Sequence, residues 1–122
     1  VLVPISYENK ALHGGAHTIV QIQDIAKDII ILGTKLEKQK GEIFTDWTDS
    51  VQCQGIKTYI DKRTGTDYPI FPLKFSKAFD EMFNEDTSIA DIMATNPLRK
   101  SNYRIIRNQL DNLWAYLEAT YA

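Results

Sequence analysis

The stretch Ile-Gln-Asp-Ile-Ala-Lys-Asp-Ile-Ile-Ile-Leu-Gly-Thr-Lys-Leu, residues 22–36, decides how this chain is read. Its apolar residues Ile22, Ile25, Ile29, Leu32 and Leu36 step by three, four, three and four. That spacing keeps one apolar stripe on one side of an α-helix. Thr18-Ile19-Val20-Gln21, just before it, has the spacing of a capping box. Together they predict a helix from Thr18 to about Lys40. The turn Ile29-Ile30-Ile31-Leu32 is apolar all round, so this helix requires neighbours on at least two sides. Gly33 costs about 1 kcal/mol in a helix interior relative to alanine, so it implies either a close helix–helix contact that offsets the cost or a local break.

A second ladder, Tyr103, Ile106, Leu110, Leu113 and Leu117, repeats the same steps. Asn96-Pro97 supplies an N-cap and an N1 proline ahead of it, so a final helix is expected from there to near Tyr121. Gln39 and Asp46 break the register of the first ladder and Asn96-Pro97 limits the second. Both therefore read as inner faces of a globular bundle rather than coiled-coil seams, which sustain about three or four heptads.

The regions between the ladders read less regularly. Residues 1–15 are expected to form an extended N-terminal arm, in which Val1–Ser6 could instead be an edge strand, with Gly14-Gly15 as a flexible or turning segment. Ile43, Phe44, Trp47 and Val51 have helical spacing up to Gly55. Ile56-Lys57-Thr58-Tyr59-Ile60 is rich in β-branched and aromatic residues, and Lys62-Arg63-Thr64-Gly65 resembles a turn. A short β-hairpin or irregular loop near residues 56–71 follows, its second strand confined to an edge by Pro69 and Pro72. Pro72 can open a helix carrying Phe75, Phe79, Met82 and Phe83 on one face. Ser88-Ile89-Ala90-Asp91 starts a short helix to about Ala94. The expected fold is mainly α: a small helical bundle of three to five helices, in one domain spanning residues 1–122, with helix 18–40 packed on the last helix.

The 122 residues suit one domain, and 43% hydrophobic with 25% charged residues is ordinary for a folded soluble chain. A net charge of −2 gives no global pull toward nucleic acid or an anionic membrane. No apolar run approaches the roughly 20 residues of a bilayer span, and Val1–Ser6 does not read as a signal peptide. Cys53, the one cysteine, has no internal disulfide partner and reads as a packing residue. An intracellular, cytoplasmic setting is the expectation.

No catalytic constellation is visible. His13 and His17 are four residues apart, a spacing that on a helix can put two imidazoles on one metal. Gly14-Gly15 between them argues against a regular helix, so loop histidines are the simpler reading, and no metal or cofactor is expected. Neither Cys53 nor Ser50 has a base nearby in sequence, and no Gly-x-Ser-x-Gly or phosphate-loop motif is present. Asp80, Glu81, Glu85 and Asp86 read as a solvated helix end.

Two surfaces remain. Arg99, Lys100, Arg104 and Arg107 form a basic cluster on the last helix. With the short helix 88–94 and the Asn96-Pro97 turn they could make a helix-turn-helix that meets phosphates. Trp114, Tyr116 and Tyr121 are candidate interface aromatics, since aromatics and arginine are favoured at hot spots; the plainer reading is that Trp114 widens the core stripe. The expected function is a non-catalytic protein–protein interaction or structural assembly module, of shell, connector or adaptor type. The alternative is a nucleic-acid binder using the basic face of the last helix.

Overall fold

A computed structural model describes residues 1–26, 28–74 and 100–121, with side chains in the last helix from Arg104 onward. The chain divides into two compact units, Val1–Leu73 and Lys74–Ala122. The first unit runs β1 (Leu2–Ser6), α1 (Asn9–Ile22), β2 (Ile30–Leu36), a 3-10 turn at Trp47–Asp49, α2 (Val51–Thr64) and β3 (Ile70–Lys74), whose last residue is the first of the second unit. The strands form a parallel sheet in the order β1-β2-β3. Leu2 pairs with Ile30, and the register continues to Ser6 beside Thr34.

This is an α/β arrangement, and it overturns the mainly α, all-helical bundle expected from the ladders. The helix expected over residues 18–40 is absent. Its ladder joined residues from unrelated local structures: Ile22 ends α1, Ile25 sits in the following turn at 83% exposure, and Leu32 and Leu36 belong to β2. The apolar run Ile29–Leu32 is instead what a buried parallel strand looks like, since such strands need apolar residues on both faces. Three of its four residues are β-branched, which suits a pleated surface.

Within β2, Ile31 and Gly33 are buried while Leu32 and Thr34 are half-buried, as strand alternation requires. The alternation then breaks. Lys35 adopts φ 54°, a left-handed conformation that costs a non-glycine residue roughly 1 kcal/mol or more. The kink leaves Lys35 exposed and turns Leu36 fully into the core.

The expected hairpin near residues 56–71 is also replaced, by α2 and β3. Ser50 Oγ accepts the Cys53 N–H at 3.2 Å, and Glu42 Oε2 accepts the Val51 N–H at 2.6 Å, so two otherwise orphaned donors of the first turn are satisfied. Gly65, at φ 70°, closes the helix and donates its N–H to the Asp61 carbonyl. Lys62 and Arg63 in the last turn complement the helix dipole. Burial of Cys53, Ile56 and Ile60 at helical spacing overrides the local β-propensity of residues 56–60.

Of the two readings of Val1–Ser6, the structure shows the edge strand, as β1, while Gly14-Gly15 lies inside α1 rather than in a turning segment. Thr18, expected as a cap, is inside the same helix, where its hydroxyl donates to the Gly14 carbonyl at 2.9 Å. Prolines fall where a parallel sheet tolerates them, Pro4 and Pro72 on the two edge strands and none in central β2.

The core joins Val3 and Ile5 of β1, Leu12, Ala16 and Ile19 of α1, Ile31 and Leu36 of β2, and Cys53, Ile56 and Ile60 of α2. Crossovers between parallel strands are right-handed, and both step the same way across this sheet, so both helices fall on one face. Their meeting there sets His13 of α1 against Tyr59 of α2.

In the second unit the described element is α3 (Lys100–Tyr121). Ile106 and Leu113 are buried and Leu110 and Leu117 half-buried, so the second ladder from Ile106 onward is the inner face of a real helix; the Tyr103 side chain lies outside the described residues. The features expected between Phe75 and Arg99 lie outside the described residues: the Phe75/Phe79/Met82/Phe83 face, the acidic cluster at Asp80, Glu81, Glu85 and Asp86, the short helix 88–94, the Asn96-Pro97 boundary and Arg99 itself. No helix among the described residues is long and apolar enough to cross a membrane.

Candidate functional site

The outer side of α3 carries a ladder of its own. Arg104, Arg107, Asp111, Trp114, Glu118 and Tyr121 step by three, four, three, four and three, and every one is exposed. This line sits one residue on from the apolar ladder, about 100° round the helix. Trp114 is 63% exposed and so is not part of the core. Its indole N–H donates to Glu118 Oε1 at 2.6 Å, which holds the ring in one orientation along the helix surface. Tyr121 continues the line at 50% exposure. Tyr116 is half-buried; two residues from Trp114, it lies about 200° round the helix and does not share the face.

The basic cluster is only partly visible. Arg104 and Arg107 are exposed. Lys100 opens α3, but its side chain, like Arg99, lies outside the described residues. Among the side chains described, the two guanidinium groups share the ladder with two carboxylates, Asp111 and Glu118.

A second constellation lies in the first unit, and sequence reading missed its members on α2. Packing of α1 on α2 puts the Tyr59 hydroxyl 2.9 Å and Arg63 Nη2 3.5 Å from His13 Nδ1. The His13 and Tyr59 rings meet edge to face at 5.6 Å, and the Arg63 guanidinium lies 5.2 Å from the Tyr59 ring centre. Arg63 can only donate to Nδ1, whereas the Tyr59 hydroxyl can donate or accept there. His17 is one helical turn along α1, because Gly14-Gly15 does not interrupt the helix. His13, His17, Ala16, Val20 and Arg63 line an open cleft of about 370 Å³. The carboxylates of Asp61 and Asp67 are engaged by Lys57. Burial works against the Lys57 charge, but hydrogen bonds to Asp67 and Asp61 outweigh it and raise its pKa.

Cys53 and Ser50 do not form a nucleophilic site. Ser50 is fully buried and its hydroxyl caps α2. Burial, with the negative charges of Asp46 and Asp49, pushes the Cys53 thiol from 9.0 up to about 11. A reactive cysteine needs the opposite shift. The sign gives a prediction. Between pH 9 and about 11 the unfolded chain releases this proton while the folded chain keeps it. Stability present below pH 9 is therefore lost progressively as pH rises through that window. Urea unfolding at several pH values should show a steeper alkaline decline for the wild type than for Cys53→Ala. Parallel declines would contradict the assignment.

Among the described residues, no three His, Cys, Asp or Glu side chains converge as a metal site. No protein-family model matches the chain, and no curated protein or solved structure is significantly similar to it.

Proposed function

We propose that this chain is a non-catalytic interaction and assembly module that pairs with a second copy of itself through the outer face of α3. The exposed Trp114 carries this reading. An indole of that size is among the most productive hot-spot anchors when a partner covers it. Its hydrogen bond to Glu118 fixes the ring beforehand, which lowers the ordering cost on association. Along α3 the positive groups Arg104 and Arg107 precede the negative groups Asp111 and Glu118. Two such helices packed antiparallel set guanidinium groups of one against carboxylates of the other, as a self-complementary interface requires. The lone Cys53 suits an intracellular setting for such a module.

Exposure of Arg104 and Arg107 favours a second reading, a nucleic-acid binder. Asp111 and Glu118 on the same line oppose it, because a phosphate backbone is repelled where a protein partner's arginine is attracted.

Light scattering across a dilution series tests the first reading. The wild type should show a mass that falls on dilution, and Trp114→Ala should weaken association about thirtyfold, the equivalent of about 2 kcal/mol. A chain that is monomeric throughout, or a variant that associates equally well, would sink it. Titration of a labelled duplex at low and moderate salt should give no salt-dependent binding; a steep salt dependence would favour the second reading.

A further inference from the structure

We infer that the cleft between α1 and α2 binds a small phosphomonoester, with its phosphate held by Arg63, His13 and His17 and its organic part against Ala16 and Val20. Three observations carry this. Two imidazoles from one helix and a guanidinium from the next line one open cleft, and among the described residues no carboxylate lines it. The carboxylates on and just beyond α2, Asp61 and Asp67, are engaged by Lys57, so they do not serve Arg63 as counter-ions. The Tyr59 hydroxyl and the guanidinium of Arg63 both face Nδ1 of His13, and among the described residues no hydrogen bond engages Nε2, which can donate to a ligand when it carries a proton.

The donor set selects the ligand. Guanidinium presents a planar fork that matches phosphate oxygens, and imidazole N–H groups add further donors. The cleft, about 370 Å³, is at the small end of ligand sites and is ample for a phosphate with a modest organic group. Val20 and Ala16 give one wall an apolar surface, which inorganic phosphate alone would leave unused. A divalent metal fits poorly. His13 and His17 are the only imidazoles, zinc sites use three or four protein ligands, and the Arg63 charge repels a cation. This site lies in the first unit and is independent of the α3 surface.

The test follows the ring carbon–proton resonances of His13 and His17 in the full chain by NMR. Inorganic phosphate, phenyl phosphate and zinc chloride are added in separate titrations, each against sodium chloride at matched ionic strength. Phenyl phosphate should give saturating shifts at both histidines, with inorganic phosphate saturating more weakly. Arg63→Gln should weaken phenyl phosphate binding by about tenfold or more while leaving the melting temperature nearly unchanged. His17→Gln, which leaves the Tyr59–His13–Arg63 contacts in place, should also weaken it. Shifts that fail to saturate, or equal affinity in wild type and Arg63→Gln, would overturn the proposal. Phosphate saturating without any gain from the phenyl group would overturn the ester assignment. Saturation by zinc alone would replace the anion with a metal.

Discussion

Ile31→Ala is expected to destabilise the unit Val1–Leu73 by about 2–5 kcal/mol, the range for an isoleucine truncated in a close-packed core. Ile31 is fully buried in the central strand. It pairs with Val3 on one side, and its N–H donates to the Pro69 carbonyl at 2.9 Å on the other. The backbone pairing does not depend on the side chain, so the loss measures side-chain burial between the sheet and the two helices. Leu32→Ala is the control. Leu32 points to the opposite face and is half-buried, so removing its side chain should cost roughly 1–2 kcal/mol. The inequality between these neighbours is the signature of a strand whose period is two. Urea unfolding followed by circular dichroism gives both values. If Leu32→Ala costs as much as Ile31→Ala, residues 30–36 do not alternate and the strand is misassigned.

The same residues explain what was legible in the sequence. The final helix could be read directly, because its apolar line runs unbroken through Ile106, Leu110, Leu113 and Leu117 and no competing β-branched run interrupts it. The stretch 22–36 could not, because a short apolar run suits a buried strand as well as a buried helix turn. The extra positions that completed a helical ladder there were accidental: Ile25 is a turn residue, and Leu36 is inward only because Lys35 has a positive φ. Nothing in the letters announces that kink, since lysine is an uncommon residue for it. The ends of α2 carried usable signals in Ser50 and Gly65. The run of β-branched residues between them pointed the other way, and only tertiary burial of Ile56 and Ile60 decides the matter. In the α3 outer ladder Arg104, Arg107, Trp114 and Tyr121 stand out by type, as separate basic and aromatic surfaces; the shared spacing unites them and adds Asp111 and Glu118, which carry no signal of their own. The His13–Tyr59–Arg63 cluster had no local signal at all. Its members are 46 and 50 residues apart and meet only because two crossovers place α1 beside α2.

How closely α1 rides on the sheet sets the second large effect, and two adjacent glycines isolate it. A Cβ on Gly15 would lie 2.6 Å from Ile5 Cδ1 and 2.7 Å from Ile5 Cγ1, whereas a Cβ on Gly14 would meet nothing within 4 Å. Ile5 is 1% exposed, so it has little room to yield. Both positions are helical, and replacing glycine by alanine in a helix gains roughly 0.5–1 kcal/mol, partly through the unfolded chain. Gly14→Ala should therefore stabilise by about that amount. Gly15→Ala receives the same gain but meets an overpacking penalty of typically 1–3 kcal/mol, so it should be neutral to clearly destabilising. Because the unfolded-state contribution is common to both, the difference between the two variants reads the native clash itself. Ile5→Val removes the Cδ1 atom but keeps Cγ1, and although it costs about 0.5–1.5 kcal/mol alone, it should cost less when combined with Gly15→Ala, because one of the two close contacts is gone. Equal stabilisation by the two alanines in urea unfolding would mean that α1 does not approach β1 this closely. A strictly additive double variant would mean that Cδ1 is not the atom that matters, leaving Cγ1, which valine retains, as the contact.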